Sequence, residues 1–166
     1  MQRMKATHLK IFFILGFLLC TFSLFALEPG DKAPPFVNLD LSRHHVLSKQ
    51  YLGKGWVILD FFATDCEGCK KEIPIVEQLY RDFSDQGLQV IVFATDSEGA
   101  EVVGPFFEDK PTPLTILLDH YQVTVKKYGV EEIPSLFLID PDGSIVHKEV
   151  GYREDLYEVI SSILGS

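Results

Sequence analysis

Residues 59–74 read LDFFATDCEGCKKEIP, and this segment is the most informative part of the chain. Its first residues complete an almost continuous apolar run over residues 56–62, which is typical of a strand buried on both faces. Apolar side chains then recur at helical spacing until a glycine ends the pattern, so a helix is predicted over residues 66–86. Cys66 and Cys69 therefore lie where a buried strand passes into a helix.

The spacing of Cys66 and Cys69 suits reversible disulfide chemistry. A cysteine at a helix N-terminus faces unpaired amides and the positive end of the helix dipole, which favour its thiolate. The second cysteine is one turn later, close enough to form a disulfide with the first, so the pair can cycle between dithiol and disulfide. Two alternatives use the same residues. One is a zinc site, which needs about four N or S ligands, and the other is a structural disulfide, which constrains little chain across one turn.

The remaining elements predict an α/β fold. Strand and helix patterns alternate along the chain and imply a mixed central sheet flanked by helices. A short hairpin precedes the first long strand, and Pro141-Asp-Gly143 is a turn sequence that joins a second hairpin. The predicted strands cover residues 36–41, 45–47, 56–62, 88–94, 114–118, 135–140 and 144–150, and the predicted helices cover 66–86, 97–109, 121–128 and 154–164.

The first 26 residues have the pattern of a targeting segment. A basic stretch ending at Lys10 is followed by an apolar run and a small residue, Ala26, as in a secretory signal peptide. An uncleaved anchor is one alternative, although the apolar run of roughly 16 residues is shorter than the ~17–25 that span a bilayer. A lipoprotein modified at Cys20 is another. We therefore divide the chain into a leader, 1–26, and one domain, 27–166. Export to the bacterial periplasm or the outer face of the cytoplasmic membrane is expected, with membrane contact only if the leader is retained.

The domain is strongly acidic. The formal net charge of the chain is −9, and removing the three basic residues of the leader makes the charge of residues 27–166 −12. Such a surface repels polyphosphates, so nucleic acid is not expected as a partner. The leader also contains one of the three cysteines, which leaves only Cys66 and Cys69 in the domain. Two cysteines three positions apart are too few for a disulfide framework, so a chemical role is favoured.

Segment 59–74 resembles the active-site region of thioredoxins, and it is most similar to the extracytoplasmic TlpA/ResA-type members, which include the reductases of cytochrome c maturation. A second stretch, YGVEEIPSLFLIDPDG over residues 128–143, matches this family as well. Together the two motifs extend the resemblance over roughly residues 30–165. It implies a thioredoxin fold and an exported thiol-disulfide oxidoreductase that acts on protein thiols and disulfides, with no bound cofactor or metal.

The resemblance assigns roles to four residues of these two motifs. It makes Cys66 the exposed nucleophile and Cys69 the resolving thiol, and the two form the redox-active disulfide. Pro134 matches the cis-proline that faces the disulfide and, with Ile133, pairs with the substrate backbone. Only X–Pro bonds make a cis peptide inexpensive, which fits that position.

Two acids also match the family. Asp60 occupies the place of the buried aspartate of thioredoxins, and Glu72 that of the acid three residues after the second cysteine in TlpA/ResA-type proteins. A carboxyl in apolar surroundings has a raised pKa and can relay the proton of the resolving thiol. The alternatives are a purely structural acid at Asp60 and a solvated acid at Glu72, next to Lys70 and Lys71.

The sequence departs from the family beside the first cysteine. Asp65 stands where the family usually has tryptophan. Asp65 and Glu67 place negative charge on both sides of Cys66, which opposes thiolate formation. A couple with a less stable reduced thiolate is more reducing, so a reductase is favoured over an oxidase.

The resemblance also suggests partners. Client candidates are apocytochrome c and proteins that need general disulfide repair, and a membrane electron donor is expected because cytosolic thioredoxin does not reach an exported protein. Two other functions remain open on this fold. A thiol peroxidase of the peroxiredoxin type needs the pattern P-x-x-x-T-x-x-C, whereas only one residue separates Thr64 from Cys66. A Cu(I)-binding or chaperone module would use the thiolates as soft ligands.

Overall fold

The computed structural model of the protein describes residues 27–165. The predicted leader, 1–26, lies outside the described residues, and so does the choice between signal peptide, anchor and lipoprotein. Residues 27–165 form one seven-stranded sheet with helices against it. The strands are β1 Val37–Asp40, β2 His45–Leu47, β3 Val57–Phe62, β4 Gln89–Ala94, β5 Thr115–Leu118, β6 Ser135–Ile139 and β7 Ile145–Val150, and the α-helices are α1 Glu67–Phe83, α2 Ala100–Asp109, α3 Val123–Tyr128 and α4 Leu156–Leu164.

The sheet is mixed, with strand order β2-β1-β5-β4-β3-β6-β7. Strands β3, β4 and β5 run parallel to one another. Strand β1 is antiparallel to β5 and to β2, and β6 is antiparallel to β3 and to β7. The predicted thioredoxin fold is therefore confirmed, including the short N-terminal hairpin.

Strand β3 lies in the interior, and all six of its side chains are buried. Its residues alternate between two cores because successive side chains of a strand point to opposite faces. Ile58 and Phe62 pack in the core under α1, α2 and α4, whereas Val57 and Phe61 pack in the core under α3. Asp60 belongs by this alternation to the face that α1 covers.

Helices α2, α3 and α4 begin two or three residues later than predicted, α4 at Leu156 instead of residue 154. Helix α2 begins at Ala100 instead of residue 97, because Gly99 adopts a φ of +61° and donates a backbone hydrogen bond to Asp96 O, which closes a turn. Helix α3 begins at Val123 instead of residue 121. There the carboxylate of Asp119 accepts hydrogen bonds from the first three backbone N–H groups of the helix. The starts of α2 and α3 depend on local contacts that the spacing of apolar residues does not predict.

None of the helices within residues 27–165 combines the length and the apolar character needed to cross a membrane.

Candidate active site

Cys66 lies at the N-terminus of α1, directly after the turn that follows β3. It is the N-cap residue of the helix, and its Sγ accepts a hydrogen bond from the backbone N–H of Cys69 at 3.1 Å. The two cysteines form a disulfide, and their Cα atoms are 5.3 Å apart. When the disulfide is reduced, the same N–H group and the helix dipole stabilise negative charge on Cys66.

The two sulfurs differ in their access to solvent. Cys66 is only partly buried, whereas Cys69 is 1% exposed and belongs to the core that includes Ile73 and Leu136. A protein partner can therefore reach Cys66 and not Cys69. This is the arrangement that a nucleophile and a resolving thiol require.

The loop before β6 lies against the disulfide. The Ile133–Pro134 peptide bond is cis, as the resemblance implied, and the carbonyl oxygen of Ile133 is 3.8 Å from Cys66 Sγ. The backbone N–H of Gly151, after β7, donates to the carbonyl of Pro134 at 2.8 Å. The loops before β6 and after β7 are thus joined beside the reactive sulfur.

Gly68 fits tightly beneath these loops. A Cβ at Gly68 would lie 3.1 Å from Cδ of Pro134 and 3.4 Å from Cβ of Tyr152. Tyr152 itself is 40% exposed, and the ammonium of Lys71 stands 5.8 Å from the centre of its ring. Pro134 and Tyr152 therefore both lie close to Gly68, in the first turn of α1.

Asp60 and Glu72 come together beneath the disulfide. Each is 1% exposed, and Glu72 is three residues, or about one helical turn, beyond Cys69. Neither oxygen of Glu72 nor Oδ1 of Asp60 accepts a hydrogen bond from an N–H or O–H group of the described residues. The two carboxyl groups interact with each other instead. Because Glu72 is 1% exposed, the solvated alternative for this residue is wrong.

Burial decides the acidity of this pair. Desolvation is the main cause that raises the pKa of Asp60, to about 7. The pKa of Glu72 is raised to about 9, mainly by desolvation and additionally by the charges of Asp60 and Glu149. Two buried like charges resist ionising together, so one carboxyl stays neutral near pH 7.

The negative charge beside Cys66 is smaller than the sequence indicated. Lys70 Nζ is 2.7 Å from Glu67 Oε1, and this pairing lowers the pKa of Glu67. Glu67 is thus neutralised locally by a residue one turn along α1. Within residues 27–165, no ion pair involves Asp65, so Asp65 opposes a thiolate on Cys66 more strongly than Glu67 does.

Thr64 is engaged away from the reactive sulfur. Its backbone N–H and its hydroxyl both donate to Asp96 Oδ1, on the loop after β4. This joins the carboxyl ends of β3 and β4. The contacts give Thr64 a role in shaping the turn before Cys66.

Three residues of this region were not singled out from the sequence. Gly68 and Tyr152 are distinguished only by contacts between segments that are far apart in the chain. Glu149 lies in a strand with several polar residues, so its place in the sequence does not indicate that it is near Glu72. The sequence indicates the position of Glu149 in one way, through the hairpin that pairs β7 with β6.

The chain matches a known protein family and is similar to individual proteins of known type. The AhpC/TSA family matches residues 29–148. The thiol-disulfide oxidoreductase ResA of Bacillus thuringiensis subsp. konkukian is 32% identical over 139 residues, which are 82% of this chain and 79% of that protein.

The chain is also similar in structure to solved thiol-disulfide exchange proteins. A Chlorobium tepidum protein, provisionally named thiol:disulfide interchange protein DsbE, superposes with a TM-score of 0.77 at 30% identity, over 84% of this chain and 97% of that one. The thioredoxin domain of a thiol-disulfide oxidoreductase from Bacteroides vulgatus superposes with a TM-score of 0.73 at 28% identity, over 83% and 99%. The chain therefore belongs to the AhpC/TSA family of the thioredoxin superfamily, as a thiol-disulfide oxidoreductase of the ResA type.

Proposed function

We propose that the protein is an exported reductase of protein disulfides that works by dithiol–disulfide exchange at Cys66-Glu-Gly-Cys69. One observation carries the proposal. A partly exposed sulfur at a helix N-terminus is linked to a buried sulfur that lies one turn before a buried acid. In this arrangement Cys66 attacks the client, and Cys69 releases it.

The first step forms a mixed disulfide. The thiolate of Cys66 attacks one sulfur of the client disulfide, the client S–S bond breaks, and the second client sulfur leaves as a thiolate that takes a proton from water. The backbone around Ile133 and Pro134 holds the client beside Cys66. The carbonyl of Ile133 is 3.8 Å from Sγ, so a bound strand and the reacting sulfur share one surface.

The second step releases the client. Cys69 passes its proton to the Asp60–Glu72 pair, and the resulting thiolate attacks Sγ of Cys66. The Cys66–client bond breaks, the Cys66–Cys69 disulfide forms, and the client leaves fully reduced. The client has gained two electrons and the protein has lost two, so an external donor must reduce the disulfide again. A membrane electron donor fills this role for an exported protein. By resemblance, apocytochrome c is one candidate client, and proteins that need general disulfide repair are another.

Reduction of a disulfide client tests the assignment. We expect the reduced protein to cleave insulin disulfides, C66S to be inactive, and C69S to accumulate a mixed disulfide visible by mass spectrometry. Hydrogen peroxide and Cu(I) are offered to the same preparations. Faster turnover of peroxide than of disulfide, or tight copper binding without reductase activity, contradicts the proposal in favour of the peroxidase or the copper module.

The direction of electron flow is measured separately. Equilibration with a glutathione buffer gives the reduction potential, which we expect to lie nearer the about −270 mV of thioredoxin than the about −120 mV of DsbA. A potential near the oxidising end contradicts the reductase assignment and leaves the exchange chemistry intact.

Export is tested on the protein isolated from an expressing cell. Its intact mass should correspond to a chain that starts at Leu27. A retained leader, or a lipid on Cys20, would replace the soluble periplasmic form with a membrane-attached one.

A further inference from the structure

Three residues lie in a row across strands β3, β6 and β7. Asp60 is directly opposite Leu136, and Leu136 is directly opposite Glu149. Directly paired residues of neighbouring strands project to the same face, so the two acids share the face that α1 covers. With strands about 4.8 Å apart, Asp60 and Glu149 are separated by roughly 10 Å at Cα.

Glu149 differs from the buried pair in its partners. Its Oε2 is 2.8 Å from Nη1 of Arg153 and 3.4 Å from Nε2 of His147. Its side chain is 18% exposed. Glu149 therefore has a guanidinium partner and partial contact with water, whereas Glu72 is 1% exposed.

Arg153 is shared with another acid. Its Nε and Nη2 are 2.7 Å and 3.0 Å from the two carboxylate oxygens of Asp155. The loop after β7 thus holds Arg153 in place independently of Glu149. Arg153 is therefore a counter-ion whose removal takes the guanidinium away from Glu149.

The charged groups around Glu72 come from several elements. The sheet supplies Asp60 and Glu149, which both act on Glu72. Glu149 in turn contacts His147 and Arg153, and Arg153 contacts Asp155. The side of α4 in this core is apolar, with Leu156 and Ile160. On α1 itself, the neighbouring Lys71 stands over the ring of Tyr152. Glu149 and its arginine are therefore a charge pair outside the buried acids that can bias them.

We propose that Glu149, with Arg153 as its counter-ion, is a positioning residue that sets the protonation of the buried Asp60–Glu72 pair. This deepens the proposed function, because that pair is the acceptor for the Cys69 proton. A negative charge on Glu149 opposes a second negative charge on Glu72, and the nearby positive charge of Arg153 weakens this effect. Glu149 thereby raises the proton affinity of the pair, which makes the pair a stronger acceptor for the Cys69 proton.

Opposite substitutions give opposite signs. E149Q removes the repulsion, so the pair should lose its proton at lower pH. R153Q leaves Glu149 charged and without its counter-ion, so the pair should keep its proton to higher pH. We expect shifts of about half a unit to one unit each way, since the charges interact through a partly screened interior.

Infrared titration of the oxidised protein measures this directly. The carbonyl stretch of the protonated carboxyl pair is followed against pH and assigned by its loss in D60N and E72Q. Neither cysteine titrates in the disulfide form. E149D keeps the charge and should titrate near wild type, and E154Q, which removes an exposed acid from the same loop, serves as the matched control. Repeating both tests in H147Q removes the imidazole contribution.

The outcomes separate this inference from the proposed function. Opposite shifts in E149Q and R153Q, with E154Q unchanged, support the role of Glu149 even if the protein reduces no client. Equal titration of E149Q and E154Q overturns it, even if client reduction is efficient. If R153Q does not fold, the comparison of E149Q with E149D decides the question alone.

Discussion

A Cβ placed on Gly68 would lie 3.1 Å from Cδ of Pro134, which is tighter than nine in ten contacts of real Cβ atoms. Gly68 is the residue between Glu67 and Cys69, so the first turn of α1 touches the cis-proline loop without any spacing side chain. This contact sets the gap between the reactive sulfur and the backbone that is proposed to hold a client.

Replacing this glycine should impair exchange more than stability. In G68A, the loop at Pro134 has to move by a few tenths of an ångström, and we expect client reduction to fall about tenfold because misplacement of reacting groups is costly. G104A is the matched control, since Gly104 is also helical and has open space at its Cβ position. That substitution should be neutral or add about 0.5–1 kcal/mol of stability. Equal activity of G68A and wild type would show that the contact has no functional role.

The buried acids should make the oxidised protein less stable as pH rises. Asp60 has a folded pKa of about 7, against about 3.9 in an unfolded chain. Between these values the folded state retains a proton that the unfolded state has lost, so the free energy of unfolding falls with increasing pH. Glu72, with a pKa of about 9, extends the decline to higher pH.

Removing the Asp60 carboxyl should flatten this curve. Urea unfolding at several pH values should show that D60N has a shallower decline between about pH 4 and 7, because only Glu72 then retains an extra proton in the folded state. D60N should be more stable than wild type at pH 8 by about 2–4 kcal/mol. D85N removes an exposed acid and should follow the wild-type curve. A D60N curve parallel to that of wild type would mean that Asp60 is ionised in the fold.

The two cysteines should differ in reactivity once reduced. Cys66 is partly exposed and Cys69 is 1% exposed, so an alkylating agent should label Cys66 at least about tenfold faster. Peptide mapping by mass spectrometry identifies the labelled sulfur. Preferential labelling of Cys69 would reverse the roles assigned to the two residues.

Charge removal beside Cys66 should depend on which acid is changed. Glu67 is paired with Lys70, whereas no ion pair involves Asp65 within residues 27–165. D65N should therefore raise the thiolate fraction of Cys66 at pH 7 by up to about threefold, and E67Q should change it less. Thiolate absorbance in the ultraviolet measures that fraction. K70Q should lower the thiolate fraction of Cys66. A larger effect of E67Q than of D65N would indicate that the Glu67–Lys70 pair does not persist in solution.

Much of the architecture follows from local pattern. The apolar run that ends at Phe62 predicts a buried strand because only such a strand hides apolar side chains on both faces. The Cys66–Cys69 spacing at the start of a helix predicts redox chemistry, since both features act within one turn. The turn at Pro141-Asp-Gly143 is likewise a local preference, and the structure places β6 and β7 on either side of it.

What tertiary structure alone decided is which side chains from distant segments meet. Glu72 follows two lysines and is equally compatible with a solvated helix face, and only the packing of α1 on the sheet buries it against Asp60. Glu149 approaches the pair because β7 aligns with β6 in one register out of several. Gly68 is constrained by a loop more than sixty residues away in the chain. Local sequence sets backbone preference and periodicity, but burial, charge coupling and close approach depend on long-range packing, which no single segment encodes.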